Sequence, residues 1–165
     1  MVARGRRDHL AACACAAIGA LGPLGASAAT DDPYAPLKLY DGAWTVVSSD
    51  GKTTRLTNHC ARPGLFFACE QVVNGKAEDL VVFLPQGKTA EGWAYLTQAL
   101  GADAGPPHPW YRLTIDGDRW VYAGPRGQRT LNQFFGSDHI RFEVQTSKDG
   151  RAWATTLSGE ERRAP

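Results

Sequence analysis

An all-β fold, an antiparallel up-and-down barrel of about ten strands, is what this 165-residue sequence predicts. Three observations carry it: turn-forming pairs recur along the chain, the segments between them alternate apolar and polar residues, and nothing after the first 28 residues has convincing helical periodicity. The pairs are Asp41-Gly42, Asp50-Gly51, Pro63-Gly64, Asn74-Gly75, Gln86-Gly87, Asp116-Gly117, Arg126-Gly127, Gly136-Ser137 and Asp149-Gly150. A turn every 8 to 12 residues or so is the rhythm of a sandwich or barrel. Asn-Gly and Asp-Gly also supply the positive φ that tight antiparallel turns need. A meander of consecutive hairpins leaves edges to hide, and closure removes them, which favours the barrel over the sandwich.

The chain begins with Arg4, Arg6 and Arg7, continues through an apolar, small-residue stretch from Leu10 to Gly25, and reaches Ala26-Ser27-Ala28. A basic start, an apolar middle and an Ala-x-Ala site are the layout of a cleaved export signal, so residues 1–28 are set aside from the fold. Gly19, Gly22 and Pro23 interrupt the apolar run, which falls short of the roughly 20 residues of a membrane span. Leu10-Ala11-Ala12-Cys13 matches a lipoprotein box but precedes the apolar segment instead of following it. Arg6-Arg7 leaves the twin-arginine and general secretory routes both open. The expected location is outside the cytosol, periplasmic or secreted, in a bacterium.

The leader holds Arg4, Arg6, Arg7 and Asp8 of the chain's 18 Lys plus Arg and 17 Asp plus Glu, leaving 15 basic residues against 16 acidic ones. No basic stripe remains to displace phosphate counterions or dock on a membrane surface, so nucleic-acid and membrane-surface binding are excluded. All five Trp, five Tyr and six Phe lie after the leader. That aromatic weight fills a β core or lines a cavity.

After the leader, residues 29–36 read as an extended segment, with Asp31, Asp32, Pro33 and Pro36, and residues 37–165 as one domain. The strands predicted in order are Trp44–Ser48, Arg55–Asn58, Leu65–Val73, Leu80–Leu84, Trp93–Ala99, Trp110–Ile115, Arg119–Tyr122, Thr130–Phe134, His139–Gln145 and Ala152–Leu157. His139–Gln145 alternates most cleanly, with Ile140, Phe142 and Val144 on one face. Thr89-Ala90-Glu91 has the makings of a helical turn, but Gly92 and the alternation of Trp93, Tyr95 and Thr97 favour strand.

Tyr40-Asp41-Gly42-Ala43-Trp44 precedes and opens the first strand. A Gly-x-Trp there, in a small antiparallel barrel, resembles the calycins, which include lipocalins, fatty-acid-binding proteins and avidins. The resemblance implies that Gly42 and Trp44 close the narrow end of the barrel and that a basic residue from the last strand packs over the indole. Arg162 or Arg163, just after the last predicted strand, is placed there, Arg162 being the one chosen, with Arg151 ranked behind both. The run Asn58 to Gln71 is also similar to exported bacterial barrels with no assigned activity. The calycin resemblance implies carriage of a small ligand without catalysis.

Cys60 and Cys69 are the only cysteines after the leader and sit symmetrically about Gly64-Leu65, so a hairpin turning there brings them face to face. The pair reads as a structural disulfide. His59, Cys60 and Cys69 are too few, and wrongly spaced, for a zinc site, and a redox pair is expected as Cys-x-x-Cys. No metal or cofactor is expected.

Candidate catalytic groups are weak. Ser137, Asp138 and His139 are adjacent, so their side chains alternate between faces. His108, in Gly105-Pro106-Pro107-His108-Pro109, reads as a loop residue. Glu70, Glu78, Asp79, Asp116, Asp118 and Glu143 sit beside turns or on polar faces. For binding, Trp93 and Tyr95 share one strand face and Trp110 and Arg112 share another, so neighbouring strands would offer aromatic walls with one cation. Arg112 is the chosen anchor, with Gln71 and Asn132 behind it; alternation does not say which faces point inward.

The reading is an exported barrel that binds a small apolar or amphipathic molecule. Two alternatives stand beside it. One is a protein-interaction or inhibitor module acting through loop 101–109, which expects a filled interior and an aromatic patch by that loop. The other is an enzyme using His108 or His139, which expects a histidine and a carboxylate converging in one pocket.

Overall fold

The computed structural model describes residues 32–165, so the leader assigned to residues 1–28 lies outside the described residues. A short 3-10 turn, Pro36–Tyr40, precedes ten strands: β1 (Gly42–Ser48), β2 (Thr53–Ala61), β3 (Phe67–Val73), β4 (Lys76–Thr89), β5 (Gly92–Gly101), β6 (Tyr111–Asp116), β7 (Arg119–Ala123), β8 (Gln128–Phe135), β9 (His139–Thr146) and β10 (Ala154–Arg163). Each strand pairs antiparallel with the next, and β10 returns to β1, closing the barrel. The predicted fold class is thus the one observed.

Local chemistry explains most turns. Asn74 and Gly75 have φ of 51° and 81°, the left-handed pair that a two-residue hairpin demands. Gly92 (φ 109°) leads into β5, where a Cβ would strike the Ile115 carbonyl, so this position has room only for glycine. Cys60 faces Cys69 across the β2–β3 ladder and the two are bonded, as their spacing about Gly64-Leu65 predicts.

Residues opposite one another across a ladder share a face, so the inner surface can be followed around the barrel. Phe67 faces Phe83, Phe83 faces Thr97, and Thr97 faces Tyr111. Farther round, Trp120 faces Asn132, and Asn132 faces Phe142. At the end where β1 starts and β10 finishes, the interior is solid. The 3-10 turn lays Leu37 there among Trp44, Phe67, Tyr95, Leu113, Trp120, Phe134 and Ile140. Trp120 and Phe134 rings lie 4.4 Å apart and Tyr40 meets Trp120 edge-on at 4.8 Å.

Ahead of β1, Tyr34 and Leu37 are buried, and the Tyr95 hydroxyl donates to the Pro33 carbonyl. Three local expectations are corrected. Leu65 and Phe66 belong to the turn before β3, with Leu65 86% exposed, because the disulfide fixes the register and leaves them at the apex. Gln86-Gly87 is a bulge inside β4, not a turn. Pro85 lacks an N–H for the ladder and bulges absorb such residues; the chain reverses at Ala90-Glu91 instead. Last, β10 runs to Arg163, six residues past the predicted Leu157. Its charged sequence reads as a tail, yet backbone pairing to both β1 and β9 holds it as a central strand.

Candidate functional site: a cavity open at one end of the barrel

Above the solid end the interior is hollow. A cavity of about 390 Å³ extends from Tyr40 and Asn132 up to His108 and Pro109 at the mouth, within the size range of small-molecule sites. Leu56, Val81, Phe83, Ala99, Tyr111 and Phe142 supply the apolar surface of its walls. Gly159 stands opposite Phe142. A Cβ there would lie 2.7 Å from the Phe142 ring, so the missing side chain makes room for the ring.

The polar side of the cavity is organised by Tyr40, the last residue of the 3-10 turn. Its hydroxyl accepts from the Tyr122 hydroxyl at 2.8 Å and from Asn132 Nδ2 at 2.6 Å. Its carbonyl accepts from Trp44 Nε1 at 3.0 Å and Asn58 Nδ2 at 3.1 Å. Asn58 Oδ1 in turn accepts from Gln71 Nε2 at 3.1 Å. Burial drives the phenols of Tyr40 and Tyr122 well above their ordinary range, so both are neutral donors and acceptors.

Glu161 completes this side. It lies opposite Val46 on β1 and Ile140 on β9, and so faces inward from β10. Burial raises its carboxyl to about 7, because removing the charged form from water is costly. Glu161 Oε2, Asn132 Oδ1 and Thr97 Oγ1 are buried without a hydrogen-bond partner among the described residues. Such groups are uncommon in folded proteins and ask for an explanation.

The sequence-predicted residues divide. Gln71 and Asn132 line the cavity. Tyr95 and Trp93 do face inward, since they oppose Leu113 and Ile115, but they pack within the solid end. Trp110 and Arg112, expected on the cavity wall, lie on the outside of the barrel. Inward-facing Tyr111 lies between them, so strand alternation turns both outward, and Trp110 is 46% exposed. The proposed anchor Arg112 therefore cannot reach a molecule inside the barrel.

The arginine over Trp44 is likewise Arg163, not Arg162. Arg163 stacks its guanidinium 4.4 Å from the Trp44 ring and donates to the carbonyls of Ser137, Asp41 and Leu39. Arg162 points the other way and pairs with Glu160 at 3.2 Å. Gly42 is required beneath this arginine, for a Cβ there would collide with Arg163 Nη1.

His108 does meet a carboxylate, with Nε2 3.7 Å from Asp79 Oδ1 at the mouth. His139 lies on the outer face and pairs with Glu160 at 3.3 Å. No cluster of three or more His, Cys, Asp or Glu suited to a metal ion occurs among the described residues. Among the residues lining the cavity there is no serine, lysine or arginine, and its one cysteine is in the disulfide.

Tyr40, Tyr122 and Glu161 were absent from the predicted site. A signal existed for Glu161: Leu157, Gly159, Glu161 and Arg163 alternate on one face once the last strand is allowed to continue through its charges. Tyr40 gives no such signal, because its position depends on a five-residue turn folding back over the barrel.

Fold and cavity together define a small, disulfide-linked, ten-stranded closed barrel with one blocked end and one open end. Neither family models nor curated proteins provide a match to the chain. No helix among the described residues is long and apolar enough to cross a membrane.

Proposed function

We propose that this protein is an exported, non-catalytic carrier that holds a small amphipathic molecule inside the barrel. The observation that carries the reading is the cavity itself: apolar walls interspersed with buried polar atoms that have free hydrogen-bonding capacity. The arrangement of Gly42, Trp44 and Arg163 supports a calycin-like relationship, and the disulfide supports a life outside the reducing cytosol. The interaction-module alternative expects a filled interior, which the cavity opposes.

Occlusion tests the reading. Ala99 sits on the wall, opposite Val81, and Ala99→Trp places an indole in the cavity. Protein exported by a secreting host is analysed by native mass spectrometry and organic extraction. The expected result is a small molecule released at defined stoichiometry from the wild type and from Arg112→Ala, and none from Ala99→Trp. An empty wild-type protein, or equal release from a folded Ala99→Trp variant, overturns the proposal.

A further inference from the structure

From the polar side of the cavity we infer the chemical class of the molecule: an organic cation, a primary amine or similar donor-rich group on an apolar body. This inference rests on the carrier reading and specifies its ligand.

The hydrogen-bonding groups in the cavity are unbalanced. Asn58, Gln71, Asn132 and Tyr122 each direct a donor to another protein atom. Among the cavity-lining residues the atoms left without partners are Glu161 Oε2 and Asn132 Oδ1, and the Thr97 hydroxyl, which can donate or accept; the unpartnered indole N–H of Trp120 lies in the packed core below. Asn132 and Thr97 are themselves 95% or more buried, at 5% and 4% exposure. A guest that only accepted hydrogen bonds would leave Asn132 Oδ1 and the ionised Glu161 carboxylate unpaired, at a cost typical of buried polar groups.

Charge points the same way. The ionisable carboxyls on the cavity wall are Glu161 and Asp79, and the only basic side chain is His108 at the mouth, beside Asp79. An anionic guest would lie near a carboxyl with no arginine or lysine to offset it. A cation would gain a charge-assisted pair with Glu161. The aromatic faces of Tyr40, Tyr111, Tyr122, Phe83 and Phe142 around the cavity add attraction to an ammonium group through their ring quadrupoles.

Two probe series on full-length mature protein test this by isothermal titration calorimetry at pH 8. Tryptamine, tryptophol and indole-3-acetate share a ring and differ in end group; octylamine, octanol and octanoate do the same on a chain. The amine is expected to bind tightest in each series, by about tenfold or more over the alcohol, with the carboxylate weakest. Glu161→Gln should remove most of the amine's advantage while leaving alcohol binding nearly unchanged. Equal binding across end groups, tighter carboxylate binding, or an amine preference untouched by Glu161→Gln overturns the inference but leaves the carrier reading standing. If no probe of either series binds, both fall.

Discussion

Replacing Glu161 with Gln should change how the empty protein's stability depends on pH, in a direction set by burial. The carboxyl titrates near 4.5 when unfolded and at about 7 in the barrel. Between those values the folded state binds more protons than the unfolded one, so stability falls as pH rises and levels off above 7. The full shift corresponds to roughly 3 kcal/mol, and the part lost between pH 5 and 8 to about 2.5 kcal/mol. Gln keeps the shape and cannot ionise, so its variant lacks this loss. The assay is urea unfolding of wild type and Glu161→Gln at pH 5 and pH 8, disulfide intact, with bound small molecules first removed. The variant should gain on the wild type by about 2.5 kcal/mol between the two pH values. Other titrating groups are common to both proteins and cancel in that comparison. A difference below about 0.5 kcal/mol, the usual spread of surface substitutions, would refute the reasoning. Glu161 would then be charged or neutral alike in both states, with no burial penalty to relieve.

Two further outcomes concern the solid end and the staple. Arg163→Lys should cost about 1–3 kcal/mol in chemical denaturation, because a lysine cannot stack flat on Trp44 while donating to the carbonyls of Ser137, Asp41 and Leu39; Arg162→Ala should stay within about 0.5 kcal/mol, since its pairing with Glu160 is on the surface. The double replacement Cys60→Ala with Cys69→Ala opens a short loop, of sequence separation 9, and should lower unfolding free energy by about 2.5–3 kcal/mol on the chain-entropy account. Equal midpoints for oxidised wild type and the double variant would show that the hairpin register holds without the bond.

How much of the site was legible depends on the kind of information each residue needed. Gln71 and Asn132, expected behind the anchor, do line the cavity, but Glu70 and Gln133 beside them are equally polar and the sequence does not separate the faces. Arg112 was chosen because it is the one cation between aromatic neighbours, yet alternation says only that Trp110, Arg112 and Thr114 share a face, not that the face is inside. The register of β5 against β6 decides it: Tyr95 opposite Leu113 and Thr97 opposite Tyr111 put the odd-numbered residues inward. Arg162 against Arg163 is the same ambiguity by one residue, and a one-residue change of parity exchanges the two faces of a strand.

Fold class, approximate strand count, hairpin rhythm and the pairing of Cys60 with Cys69 are legible in the residues alone. These rest on local rules: positive φ at Gly and Asn, a two-residue side-chain period, and the symmetric placing of Cys60 and Cys69 about Gly64-Leu65. What lies inside depends on how the barrel closes. Closure of β10 on β1 turned a charged C-terminal run into a barrel wall and brought Glu161 into the interior, 121 positions after Tyr40. The 3-10 turn, too short to announce itself, supplied the hydroxyl that Tyr122 and Asn132 share. A cavity is a property of surfaces meeting across the barrel, and no periodicity along the chain records which surfaces meet.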